Sequence, residues 1–216
     1  MEEQNTFMEV LDGHRLKAAF IILLSTGCRI GELLALTWDN VSSDEGTIRI
    51  SRTLQRVNTF EENSNTKTKL IYVSPKTDKG NRTIPILQDV MSLLLQHREI
   101  QHQEQSIAQD IYEYNNLVFA TELGRPIDPE NFTRTFKSLL KKAGLNENIN
   151  IHALRHTFAT RGLENGIEIK VMQEILGHSS ISVTGDIYSH VLPDKKRESI
   201  EKLNDLFKAS TNDKIS

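Results

Sequence analysis

Strand-like alternation in this chain is confined to residues 46–86, and helical periodicity runs on both sides of it. A stretch that short holds only a few strands, so whatever core the chain builds must be mostly helix against helix. Before it, residues 14–25 carry Leu16, Ala19, Phe20, Leu23 and Leu24 on one stripe, and Thr26-Gly27-Cys28 breaks the run. Arg29 then opens a second apolar helix with Ile30, Leu33, Leu34, Leu36 and Trp38. After the strand region, residues 88–109 read as a helix whose second half is rich in Gln and Glu. Asp128-Pro129 starts another, as an N-cap followed by Pro at the first helical position. It packs Phe132, Phe136, Leu139 and Leu140 and stops at Gly144. A helix from His152 ends near Asn165-Gly166, and one more from Glu168 to Leu176 ends at Gly177.

Within the alternating stretch, residues 46–54 read as a strand with Ile48 and Ile50 inward. Residues 56–69 lack periodicity and read as a loop. Leu70–Ser74 and Arg82–Ile86 read as two more strands, joined by a hairpin turn over Pro75–Asn81. The expected architecture is mainly α (α+β), a helical domain with one small three-stranded antiparallel sheet. Residues 1–13 read as a loose polar lead-in and residues 14–192 as the domain. Residues 193–216 read as a final amphipathic helix and tail, with Ile200, Leu203, Leu206 and Phe207 on its stripe.

The 216 residues suit one good-sized domain, and a charged content of 25% suits a soluble one. No apolar run is long enough to cross a bilayer, and the acidic start Met-Glu-Glu-Gln is unlike a secretion signal. Cys28, the lone cysteine, excludes an internal disulfide and fits a reducing cytoplasm. A net charge of −3 argues weakly against a nucleic-acid partner. The charge is unevenly spread, however. Lys67, Lys69, Lys76, Lys79 and Arg82 face only Asp78 in residues 67–82, and Arg134, Lys137, Lys141 and Lys142 face no acid in residues 134–142. Each cluster is open to two readings: a solvated face, or one side of a polarised surface that takes a polyanion.

The chemistry gathers between His152 and Tyr188. His152 and Arg155 are three apart and project from one helix face. His178 directly follows the helix stop Leu176-Gly177, and Tyr188 lies ten residues further on. His152 and His156 have the spacing of metal ligands on a helix, but no Glu follows the first His and Arg155 would set a cation beside the metal. A serine hydrolase lacks its Gly-x-Ser-x-Gly elbow, and a nucleotide donor lacks its phosphate loop. Arginine forks, a histidine and a tyrosine suit phosphoryl transfer, where catalysis is mostly positioning and charge stabilisation. A tyrosine can act there as a covalent nucleophile. Arg29, a cation among apolar neighbours at a helix start, is read either as pairing with Glu32 or solvent, or as held at a cleft for an anion.

These segments together resemble the catalytic domain of the tyrosine recombinase (phage integrase) family. Thr-Gly-Cys-Arg-Ile-Gly-Glu-Leu at 26–33 is similar to that family's first-arginine box. Ser-Pro-Lys-Thr at 74–77, followed by Arg-Thr-Ile-Pro-Ile at 82–86, is similar to its hairpin-lysine box. His152-x-x-Arg155-His156-Thr157-Phe158-Ala159-Thr160 is similar to its second-arginine box. Leu176-Gly177-His178-Ser179 and Ile187-Tyr188-Ser189-His190-Val191 are similar to its last two boxes.

The resemblance implies a helical DNA breaking-rejoining domain that works without metal, ATP or another cofactor. It implies that Arg29 and Arg155 clamp the scissile phosphate and that Tyr188 attacks it to give a 3′-phosphotyrosine. Lys76 would protonate the leaving 5′ oxygen, His178 would donate to a phosphate oxygen, and His152 would assist proton transfer at the tyrosine. Glu32 would support Arg29, while His156 and His190 would be structural. Lys67, Lys69, Lys79, Arg82, Arg134 and Lys137 are the candidate DNA contacts.

The implied partners are double-stranded DNA attachment sites, three further protomers in a homotetramer on DNA, and an accessory excision factor. A monomer is expected without DNA. The C-terminal stripe is read either as docking on a neighbouring protomer or as packing on its own domain. A DNA-binding region is expected to precede residue 1. Gly185, three residues before the nucleophile, predicts a mobile tyrosine segment. The competing readings are a binding protein on the same fold that does not cut DNA, and a type IB topoisomerase.

Overall fold

A computed structural model describes residues 2–59, 67–74 and 80–178. Lys76, Lys79, Tyr188, Gly185, His190 and the C-terminal stripe lie outside the described residues.

The chain begins with a helix where a loose lead-in is expected. Helix α1 spans Glu2–Val10 and buries Phe7, and Leu11 just after it is fully buried. Its face is short and set among acids, so the pattern of residues 2–12 reads as polar although Phe7 and Leu11 anchor it. Phe7 packs edge-on to Phe20 of helix α2 (Lys17–Thr26) and to Phe136, with ring centroids 5.8 and 5.5 Å apart. Phe20 stacks on Phe132 at 4.7 Å. These rings join α1 and α2 to helix α5 (Pro129–Lys142), whose N-cap Asp128 accepts from the Glu130 N–H at 2.7 Å. The long helix α4 (Gln88–Ala108) closes the other side.

Although its Gln- and Glu-rich second half reads as exposed, α4 buries Gln101 there, and His97 near its middle. His97 donates from Nε2 to the Val118 carbonyl at 2.9 Å, and Gln101 donates to the Leu117 carbonyl at 3.2 Å. Each buried polar side chain thus satisfies the short segment at 117–120.

The strand region departs most from expectation. It holds strands β1 (Val41–Ser42), β2 (Thr47–Ile50), β3 (Thr53–Asn58), β4 (Thr68–Val73) and β5 (Arg82–Pro85). The three-stranded antiparallel sheet exists, but its order is β1-β2-β5, and β3 and β4 form a separate two-stranded ribbon. Residues 46–54 are two strands broken at Ser51-Arg52. Both described ends of the expected loop at 56–69 belong to the ribbon, with Val57 opposite Lys69. The strands expected to form a hairpin, β4 and β5, pair with β3 and β2 respectively. Periodicity marks strands but not partners, and here partners are set by what each strand packs on.

Strand β3 lies on helix α3 (Ile30–Leu34), where a Cβ on Gly31 would stand 2.7 Å from the Leu54 carbonyl oxygen. Arg56 of β3 pairs with Asp128, tying the ribbon to the start of α5. The remaining helices, α6 (His152–Glu164) and α7 (Ile169–Leu176), pack around Ala159, Leu163, Met172 and Leu176. Among the described residues no helix is long and apolar enough to cross a membrane.

Candidate active site

The site forms where three chain breaks meet: the end of α2, the start of α3 and the end of α7. Helix α2 ends at Gly27, which is left-handed at φ 62°. Glycine is required there twice over. The conformation penalises any side chain, and a Cβ would stand 2.5 Å from Phe158 Cδ1 and 2.8 Å from Leu176 Cδ2. This close approach brings the end of α2 against both α6 and α7.

Arg29 is the N-cap of α3 and is extended at φ −77° and ψ 150°. A cation there is unfavourable in the helix dipole unless an acid answers it, and Glu32 does so. Glu32 Oε2 accepts from the Arg29 backbone N–H at 2.8 Å, and Oε1 accepts from Arg29 Nη1 at 3.0 Å. The Arg29 side chain remains 43% exposed, so the guanidinium is tethered at one nitrogen and open to an anion.

On α6, His152 is exposed at the first turn, where its N–H donates to Asn150 Oδ1 at 3.0 Å. Arg155 sits one turn on and turns inward. Its Nη1 donates to the Gly27 carbonyl at 2.6 Å and its Nη2 to the Leu176 carbonyl at 2.8 Å. A guanidinium has five N–H groups, so these two bonds leave donors for an anion. Burial first, then the Arg29 charge, brings the Arg155 pKa down to about 10, which still leaves it charged at neutral pH.

Helix α7 ends at the left-handed Gly177, and His178 follows, buried. The His178 N–H donates to the Gln173 carbonyl at 3.1 Å, and the Gln173 amide donates back to the His178 carbonyl at 3.1 Å. Gln173 of α7, which the sequence did not mark, thereby fixes the backbone of His178. Burial, then the charges of Arg155, Arg29 and Arg82, push the His178 imidazole down to about 4. It is therefore neutral in the free protein.

The candidate DNA contacts divide. Lys67, Lys69 and Arg134 are exposed. Lys137 is half-buried and donates to the Glu147 and Ile149 carbonyls, holding the loop after α5. Arg82 stands apart from these. Its side chain is 7% exposed and faces inward, pairing with Glu32. Its strand parity carried the signal: Arg82 and the buried Ile84 are two apart on β5 and share a face. Cys28, next to Arg29, is also buried, and burial raises its thiol to about 11. Among the described residues, no three His, Cys, Asp or Glu side chains cluster as metal ligands.

The chain belongs to the phage integrase family, whose profile matches residues 1–195. It is 41% identical over 210 residues to a tyrosine recombinase XerC-like protein of Caldanaerobacter subterraneus subsp. tengcongensis, covering 95% of this chain and 53% of that one. In solved structures it resembles the Tn1549 transposon integrase in complex with transposon right end DNA. That likeness has a TM-score of 0.76 and 28% identity, covering 94% of this chain and 64% of that one. It also resembles the XerA recombinase, with a TM-score of 0.69 and 27% identity over 94% of this chain and 62% of the other. The chain spans about half the length of the curated relatives it matches.

Proposed function

We propose that this chain is the catalytic part of a site-specific DNA recombinase that cuts and rejoins strands through a 3′-phosphotyrosine. The observation that carries the reading is the Arg155 guanidinium bound at once to the Gly27 and Leu176 carbonyls. Those two residues lie two positions before Arg29 and His178, so one side chain holds both candidate phosphate ligands beside itself.

In this reading Arg29, Arg155 and neutral His178 donate to the non-bridging oxygens of the scissile phosphate, where charge develops. The Tyr188 oxygen attacks phosphorus, and the phosphorus–O5′ bond breaks as the Tyr–phosphate bond forms. The tyrosine proton leaves with assistance from His152, and Lys76 delivers a proton to O5′. The covalent ester conserves the bond's free energy, so a 5′-hydroxyl can reverse the step without ATP or a metal. Exposed Lys67, Lys69 and Arg134 suit backbone contacts on either side of the site. The partners in this reading are duplex attachment sites and three further protomers, with a monomer in the absence of DNA and an accessory excision factor for the reverse direction. The setting is the cytoplasm.

The test is a library of nicked suicide duplexes with randomised cores, incubated with this chain in EDTA and resolved under denaturing conditions. A covalent adduct that forms with the wild type and is lost in Tyr188→Phe is the expected result. Retention of DNA without any adduct would instead make the chain a non-cutting binder. Sequence-indifferent relaxation of a supercoiled plasmid would make it a topoisomerase.

A further inference from the structure

Arg82 turns its side chain away from solvent, 7% exposed. Its guanidinium meets the Glu32 carboxylate with two parallel bonds, Nη1 to Oε1 at 3.1 Å and Nη2 to Oε2 at 2.9 Å. Each of those oxygens also accepts from Arg29, Oε1 from the side chain and Oε2 from the backbone. One carboxylate therefore serves two arginines, one side chain 7% exposed and the other 43%. Burial alone would raise the Glu32 carboxyl, but the Arg82 hydrogen bonds and charge, with those of Arg29, outweigh it and hold the group below its ordinary range.

Arg82 also reaches the other side of the site. Its Nε donates to the Ile175 carbonyl at 2.6 Å, in the last turn of α7. Arg155 takes the next carbonyl, Leu176, so two guanidinium groups cap consecutive orphan carbonyls at a helix C-terminus, where cations are favoured. Gly177 then passes so close over Arg82 that a Cβ there would stand 2.9 Å from Nη1. His178 is the next residue. In sequence, Arg82 follows Gly80 by two residues and Lys76 by six.

We propose that Arg82 is a positioning residue for the reaction, not a DNA contact. It orients Arg29 by saturating the far side of Glu32, and it registers the His178 loop against the same carboxylate. The role rests on the function proposed above. A rigid fork suits it because Glu32 must present fixed lone pairs to Arg29; a lysine at 82 offers a point charge and cannot hold both Glu32 oxygens and the Ile175 carbonyl.

Two measurements test this, each made on folded protein well below its melting temperature. The first compares Arg82→Lys, Arg82→Met, Glu32→Gln and the Arg82→Met/Glu32→Gln pair in single-turnover adduct formation and in DNA affinity across salt. The expected result is a rate loss of roughly 10- to 100-fold in either single uncharged variant, with Arg82→Lys falling short of wild type. The double variant should be no slower than the worse single one, and the salt slope of binding should not change. An unchanged rate, or a salt slope lower by about one, would overturn the proposal, the latter by making Arg82 a phosphate contact.

The second needs no cleavage: the Arg29 guanidinium protons are followed by nuclear magnetic resonance in the free chain. Slow guanidinium rotation in wild type that becomes fast in Arg82→Met is expected. An Arg29 signal indifferent to Arg82 sinks the proposal. A wild type that forms no adduct while this coupling persists would count against the recombinase reading alone.

Discussion

Arg155 donates from Nη2 to the carbonyl of Leu176 at 2.8 Å, across 21 residues of sequence. That bond, with its twin to Gly27, makes Arg155 the brace between α2 and α7 as well as a candidate phosphate ligand. Arg155→Lys keeps the charge but cannot span both carbonyls. It should lower adduct formation by about 100-fold or more and cost about 1–3 kcal/mol of stability, because a part-buried carbonyl loses its donor. Urea denaturation beside single-turnover cleavage measures both. A lysine variant of full stability and near-normal rate would show that the brace is dispensable.

Acid should weaken the fold through its buried histidines. His178 is held at about 4 and His97 is lowered by burial, against an ordinary value of 6.5. The unfolded chain therefore binds more protons than the folded one between about 6.5 and 4, so stability rises with pH across that window. The His178 contribution is complete above about 6.5 and is lost as pH falls toward 4, and His97 acts in the same direction. The His178 imidazole resonance should show no inflection between pH 8 and 5 in the free chain. A bound DNA phosphate should raise its pKa, since an anion favours the protonated ring. An inflection near 6.5 without DNA would contradict the burial described here.

Gly27→Ala should be among the most damaging single-methyl changes in the chain. It combines a left-handed backbone with a Cβ driven into Phe158 and Leu176. The two costs together come to about 2–4 kcal/mol. Thermal unfolding measures the loss, and the variant should also cleave poorly, since Gly27 carries a carbonyl that Arg155 grips. Gly144→Ala, left-handed but with open space around the added Cβ, is the control and should cost about 1 kcal/mol.

Cys28 should be inert while the protein is folded. Its thiol is buried and raised to about 11, so the reactive thiolate is scarce at neutral pH despite the arginines nearby. A thiol reagent such as 5,5′-dithiobis(2-nitrobenzoic acid) should modify it only in denaturant. Rapid modification of the native protein would mean that the Gly27–Arg29 junction opens readily.

The helices after α1 were legible because most carry their own punctuation, whereas the short, acidic α1 does not. Asp128-Pro129 starts α5, Gly177 ends α7, and the apolar stripes between such marks need no knowledge of partners. The family boxes marked Arg29, His152, Arg155 and His178 for the same local reason. Strand pairing was another matter. Val57 facing Lys69, and Ile48 facing Ile84, are choices made by the surfaces of α3 and the core, so the expected hairpin between β4 and β5 did not form.

Residue identity, spacing and helix punctuation by themselves determined the mainly helical class, the family and the candidate chemistry. The tertiary structure alone decided which cations face outward. Lys67, Lys69, Arg82 and Arg134 look alike in sequence, but Arg82 is buried against a carboxylate able to offset the cost of leaving water, whereas the other three are exposed. Desolvation depends on what surrounds a charge in space. That is why the fork between Glu32 and Arg82 appeared only once α3, β5 and α7 were brought together.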